Sequence, residues 1–179
     1  MWNCLWKSGA SILHGHAQIA CTRGLHYAKI EHLRRAALQY REQYGVNFFD
    51  DLFAAHAAVG LALEARGVRL LASLTPIKEK EVWLIGSAVD NTLADALYRV
   101  LDCYAHHLGV HSFNVVLYVP PLAPAPEDWS GFPVIARVVD RGPLQNKTSD
   151  FGAMELYASS VVASDPFKLM TYLRPAFTS

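Results

Sequence analysis

The stretch Ser11-Ile12-Leu13-His14-Gly15-His16-Ala17-Gln18 sets the reading of the chain. Residues 10 to 20 read as a β-strand, in which side chains at i, i+2 and i+4 share a face. His14, His16 and Gln18 then point one way, and Leu13, Gly15, Ala17 and Ile19 the other. Gly15 and Ala17 are small, which suits close backing by a neighbouring element. Two imidazoles and an amide in a row make an unusual polar strand face. Ser11 and the Gly9-Ala10 approach can bring a hydroxyl and backbone amides to an anion.

Downstream, Ile30, Leu33, Ala37, Tyr40 and Tyr44 recur at helical spacing over residues 27 to 44, with Gly45 as a stop. Asn47 is placed to cap a second helix, with Phe49, Leu52, Phe53, His56, Val59 and Leu63 on its inner face and Gly67 at its end. Val68 to Thr75 and Glu81 to Ile85 read as strands. Thr92 to Leu108 reads as a helix opened by a Thr92/Asp95 capping box. Phe113 to Val119 is a strand ended by Pro120-Pro121, and Leu122 to Gly131 is a loop. Further strands are expected at Val134 to Val139, just past Pro133, and at Gly152 to Val162. A short helix follows at Pro166 to Leu173. This order favours an antiparallel α+β fold over a doubly wound one.

The 179 residues are 52% hydrophobic and 18% charged, a globular composition long enough to bury a core. Lys plus Arg equals Asp plus Glu, which argues against a nucleic-acid surface, since that normally needs a basic excess. No apolar run approaches the ~20 residues of a membrane span. Cys4, Cys21 and Cys103 are scattered and odd in number, as expected of reduced thiols in the cytoplasm.

The pattern Asn3, Gly9, Ser11, His14-Gly15-His16-Ala17-Gln18 resembles the active-site signature of the galactose-1-phosphate uridylyltransferase family. That family is the transferase branch of the histidine-triad superfamily, which also holds dinucleoside tetraphosphate phosphorylases. Ser112-Phe113-Asn114-Val115-Val116-Leu117-Tyr118 is similar to its aromatic-Asn strand, and Phe151-Gly152-Ala153-Met154-Glu155 to its late Gly-aromatic-Glu strand. The resemblance implies a histidine-triad-like antiparallel sheet with packed helices. It divides the chain into the end of a first repeat with connecting helices, residues 1–66, and a second repeat, residues 67–179. It implies a ping-pong reaction on a nucleotide or nucleotide sugar, with His16 the nucleophile and Gln18 a second catalytic residue. Asn3, Gly9, Ser11 and His14 would contact the phosphate or nucleotide.

The chain departs from the family at its metals. The cysteines and histidine that complete the family's zinc site are not present, and the second repeat's His-x-His falls at Pro133 and Ile135. Glu31 is the nearest acidic residue after the motif, in poor register. The family's zinc site is thus incomplete, and no cofactor is assigned. The motif lies so near residue 1 that the surrounding sheet is expected from a partner chain, as a homodimer, or from preceding sequence.

Other readings compete. A His-x-His can be a hydrogen-bonded structural pair, or Cys4, His14, His16 and Cys21 a zinc site. The main functional alternative is a degenerate, non-catalytic nucleotide-binding or assembly module. Arg34, Arg35 and Arg41 read as a solvated helix face, and His106, His107 and His111 as solvated residues around a helix end. Trp2, Trp6, Trp83 and Trp129 read as packing residues, with Trp2 or Trp6 able to flank a base. Glu155 reads as a strand-edge charge.

Overall fold

The computed structural model describes residues 1–12, 14–146 and 153–178. Six strands form one antiparallel sheet: β1 (Trp2–Cys4), β2 (Ala62–Ala65), β3 (Val68–Ala72), β4 (Val82–Gly86), β5 (Phe113–Tyr118) and β6 (Val134–Asp140), in the order β1-β5-β6-β4-β3-β2. Four helices pack on it: α1 (Ala28–Tyr44), α2 (Phe48–Ala58), α3 (Asn91–His106) and α4 (Pro166–Thr178). This is the expected α+β architecture.

Strand alternation splits the sheet into two buried faces. Leu70, Ala72, Val82, Leu84, Val115, Ala136 and Val138 face α3 and α4, joined by Leu93, Val100, Leu169 and Leu173. Ile135 and Tyr118 face the other way with Phe49 and Phe132, against Ile30, Leu33 and Ala37 of α1. Leu71 and Ile85 meet Leu52 and Phe53 of α2 on the same side.

Both covered faces meet at β6, all seven residues of which are buried. It nonetheless carries Arg137. Glu81, 1% exposed, accepts Arg137 Nε at 2.7 Å, Trp83 Nε1 at 2.8 Å and the Ile77 amide at 2.7 Å. Arg137 also donates to the Tyr118 hydroxyl at 3.1 Å and stacks 4.4 Å from the Trp83 ring centroid. Trp83 is thus a packing residue with a polar task.

The first helix and the start of the second form as read, with Asn47 Oδ1 accepting the Phe49 amide at 2.8 Å and Gly45 at φ 76° ending α1. His56, buried, donates Nδ1–H to the Leu52 carbonyl (2.8 Å) and accepts the Leu74 amide at Nε2 (3.2 Å). With Nε2 the acceptor from Leu74, Nδ1 carries the proton to Leu52.

Several expectations need correction. The second helix stops at Ala58, not Gly67, and residues 62–65 form β2. Ala62-Leu63-Glu64-Ala65 has good helix formers, but pairing with β3 overrides propensity. The Arg66-Gly67 turn, with φ 52° and 79°, has the two positive values of a type I′ hairpin. Asp90, not Thr92, caps α3: its carboxylate accepts the Leu93 amide at 3.0 Å, while Asp95 pairs with Arg99 at 2.9 Å. The final helix runs through Pro175 to Thr178, because Phe177 packs on the core and Arg99 binds the Ala176 carbonyl at 2.8 Å.

The expected strand at Gly152–Val162 is not one over its described part. Residues Ala153–Tyr157 form a 3-10 turn, and the Ala163 and Ser164 amides go to the Glu79 carboxylate at 2.9 and 2.8 Å. Phe151 and Gly152 lie outside the described residues. Glu155 is no strand-edge charge: it pairs with Lys78 at 3.2 Å.

Of the α1 arginines, Arg35 is solvated as read, with its side chain 75% exposed, but Arg34 and Arg41 are engaged elsewhere. Arg34, buried, holds Glu31 through two bonds of 2.7 and 2.8 Å and donates to the Asp128 carbonyl at 2.8 Å. Arg41 reaches the Asp128 carboxylate at 2.9 Å and the Ser130 hydroxyl at 2.8 Å. Together they clamp the 122–131 loop onto α1. Trp129 of that loop stacks on His26 and Phe132 at 4.9 and 5.3 Å.

Two outcomes follow. Arg137→Met is expected to destabilise the chain by about 3–5 kcal/mol in denaturant unfolding, since Glu81 would remain buried without its guanidinium. The hydrogen bonds from Arg34 and Arg35 lower the Glu31 carboxyl from its ordinary 4.5 to about 2. A depressed carboxyl stabilises the fold above its unfolded value and loses that contribution as pH falls. The Glu31 carboxyl carbon resonance is therefore expected to titrate near 2, and Arg34→Leu to return it toward the ordinary value.

Candidate functional site

The histidine-bearing segment lies beyond β1, at the edge of the sheet. Residues 10–20 are not the strand that the alternation predicted. Among the described residues they make a single antiparallel bridge, Ala17 to Trp2. The Gln18 amide donates to the Met1 carbonyl at 2.8 Å, and the Met1 ammonium to the Gln18 carbonyl at 2.7 Å. The segment is too short of partners to form a ladder, yet those contacts fix its register.

Register decides which side chains share a face. Directly opposed residues lie on one side of a sheet. Trp2 and Ala17 take the α3/α4 side, where Trp2 stacks edge-on against Phe113 at 5.1 Å. One residue along, the same antiparallel register sets Asn3 against His16 on the opposite side. Asn3 in turn opposes Asn114 of β5, and Asn114 opposes Val139 of β6. The row His16, Asn3, Asn114 therefore crosses three adjacent segments.

His16 is half-buried, while Ser11, His14 and Gln18 are exposed. His16 Nδ1 lies 3.1 Å from the His14 carbonyl, and the two rings sit 5.6 Å apart. A carbonyl only accepts, so Nδ1 carries the proton and the neutral ring's lone pair is on Nε2. Gln18 is anchored through its backbone, which leaves its carboxamide unconstrained by those bonds. Ser11 has no hydrogen bond to any other member of the motif among the described residues.

Asn3 and Gly9 reach the motif through the intervening 3-10 turn, Trp6–Ser8. Gly9, at φ 84°, ends that turn and commits its amide to the Trp6 carbonyl at 3.1 Å. It shapes the approach rather than offering a donor, contrary to the anion-binding expectation for that amide. The close backing expected behind Gly15 is also missing: a Cβ there would meet nothing within 4 Å. Its place is at an open edge, where a small residue is not sterically required.

The sequence reading missed two partners. Asn114 Nδ2 donates to Asn3 Oδ1 at 2.7 Å and to the Ser8 carbonyl at 3.0 Å. Arg141 donates to Asn114 Oδ1 and lies 3.5 Å from the same Ser8 carbonyl. Asn114 stood in a noted motif, but its link to Asn3 spans 111 positions and has no local signal.

Among the described residues no group of three or more His, Cys, Asp or Glu is gathered to hold a metal. Cys4 donates to the His111 carbonyl at 3.6 Å, and burial pushes its thiol above the ordinary range. The suggested Cys4, His14, His16, Cys21 zinc site is therefore not assembled. Trp6 is half exposed on its turn, and Trp2 is a packing residue. Glu31 is occupied by Arg34 and Arg35. Among the described residues no helix is long and apolar enough to cross a membrane.

No family model matches the chain, and no curated protein does. Solved structures do. An ADP-glucose phosphorylase from Arabidopsis thaliana with bound ADP-glucose matches at a TM-score of 0.71 and 15% identity, over 97% of this chain and 57% of that one. A uridylyltransferase matches at 0.63 and 15%, over 84% and 51%, and a mutant uridylyltransferase at 0.60 and 15%, over 84% and 53%. The chain spans about half the length of these structures. At this identity the likeness is one of fold: the chain has the α+β fold of the uridylyltransferase and the ADP-glucose phosphorylase, as the resemblance of the His14-Gly15-His16 motif predicted.

Proposed function

We propose that this chain transfers a nucleoside monophosphate through a covalent nucleotidyl-histidine on His16, between a nucleoside diphosphate sugar and a phosphate acceptor. The observation that carries the reading is the His16 Nδ1 contact with the His14 carbonyl at 3.1 Å, which puts the lone pair on Nε2. Nε2 attacks the α-phosphorus and forms the N–P bond, while the P–O bond to the sugar phosphate breaks and its electron pair leaves with that phosphate. An acceptor phosphate oxygen then attacks the same phosphorus and the pair returns to Nε2. The Gln18 carboxamide donates to a non-bridging oxygen but supplies no proton. That suits a leaving group that departs as a stable phosphate. Ser11, His14 and Asn3 supply further contacts to the phosphate or nucleotide, and Gly9 the turn that brings them round.

Residues 1–66 are assigned to the end of a first repeat with its connecting helices, and 67–179 to a second repeat. The histidine segment leaves an outer edge with no bridge among the described residues. A second copy covering that edge would make a homodimer, and a monodisperse monomer by light scattering would remove this part of the proposal.

A second reading draws on the exposure of Ser11, His14 and Gln18 and on the unassembled metal ligands. In it, the chain is a non-catalytic nucleotide-binding or assembly module. Intact mass separates the two after incubation with UDP-glucose, ADP-glucose or diadenosine tetraphosphate. A catalyst gains the mass of one nucleotidyl group as an acid-labile phosphoramidate, and His16→Ala abolishes the gain. A binding module is stabilised by the nucleotide without any adduct.

A further inference from the structure

The cross-sheet row that begins at His16 ends in a cation. Arg141 has no acceptor atom, so the Asn114 atom it approaches is the carbonyl oxygen Oδ1. That contact orients the Asn114 amide and turns Nδ2 toward Asn3 and Ser8. The Ser8 carbonyl, also acceptor-only, reinforces the same orientation at 3.0 Å. Nδ2 can meet only an acceptor on Asn3, so Asn3 presents Oδ1 to it at 2.7 Å. The orientation of the Asn3 amide is thereby fixed in its turn. Its Nδ2 diverges from Oδ1, away from Asn114, and has no protein partner among the described residues. In the register set by Trp2 and Ala17, the neighbour on that side of Asn3 is His16.

We infer that Asn114, held by Arg141, is a positioning residue that locks the Asn3 carboxamide with its Nδ2 donors facing the phosphate that reacts at His16. The inference rests on the nucleotidyl-transfer reading and deepens it. An unrestrained asparagine presents donor and acceptor edges in turn, and its acceptor edge repels an anionic oxygen. The locked amide presents only donors. The orientation set at Arg141 is thus passed across two amides to the edge of the sheet. The recognised group is an anionic oxygen of a nucleoside diphosphate, and the preference is for charge rather than for any base.

Asn114→Asp tests the relay. It keeps the contact with Arg141 and the shape, but replaces the donor with an acceptor. Asn3 must then rotate, give Nδ2 to the new carboxylate and turn Oδ1 toward the phosphate. With ADP-glucose and UDP-glucose as probes, binding is expected to weaken about ten- to a hundredfold. The unfolding midpoint should stay near wild type. In an Asn3→Ala background the same substitution is expected to add little, because the effect passes through Asn3. Asn114→Ser, which frees the Asn3 amide without adding a charge, gives a smaller loss and serves if Asn114→Asp does not fold.

The outcomes separate cleanly. Wild-type binding or adduct with unchanged affinity in both Asn114 variants overturns the relay and leaves the nucleotidyl-transfer reading standing. So does a full additive loss in the Asn3→Ala background. A folded wild type that neither binds these donors nor forms the adduct overturns both.

Discussion

A charge pair at the centre of the sheet constrains the rest. Strand β6 is enclosed on both faces, and only a paired cation can sit there. Glu81 and Arg137 provide the pair, with Trp83, Tyr118 and the Ile77 amide taking up the remaining bonding capacity. A buried pair of this kind adds little over an apolar core but costs much when halved, so it acts mainly on register. A one-residue slip of β4 against β6 would send Glu81 to one side and Arg137 to the other. Once β6 is placed, β4 and β5 follow on either side of it, and β1 and the histidine segment follow from β5.

The same face of the sheet changes character along its width. Near β3 and β4 it is sealed by α1, α2 and the clamped loop at Trp129. Toward β1 it becomes a polar row of Asn114, Asn3 and His16. Packing thus seals one end of this face and leaves the other polar. Among the described residues the histidine segment contributes little to the sheet itself, through one bridge and two terminal hydrogen bonds. Its order comes from the element it leans on, and β1 is in turn held by Trp2 on Phe113 and by the Asn3–Asn114 bond.

Arginine has three distinct uses in this chain. Arg137 is interior and pairs with one carboxylate. Arg34 and Arg41 tie a proline-rich loop to a helix through carbonyls as well as carboxylates. Arg141 orients an amide. The planar, permanently charged guanidinium with several fixed donors suits all three, and lysine would serve none of them equally. An even charge balance read from composition conceals this placement.

By itself the sequence determined the helices with a clear apolar stripe, α1 and α3, and the strands with strong alternation or β-branched content, β3 to β6. These signals are local and survive any tertiary context. It also carried the His14, His16 and Gln18 pattern, which resembles a transferase signature. Tertiary structure decided the rest. It made Ala62–Ala65 a strand against its propensity, because an edge partner was available. Among the described residues it reduced the histidine strand to one bridge, against β1. It placed Ala153–Tyr157 in a 3-10 turn and tied the Ala163 and Ser164 amides, just before α4, to Glu79. It also brought Asn114 and Arg141 to Asn3 across more than a hundred positions. Hydrogen-bond partners that far apart are set by sheet order and register, which no window of sequence contains.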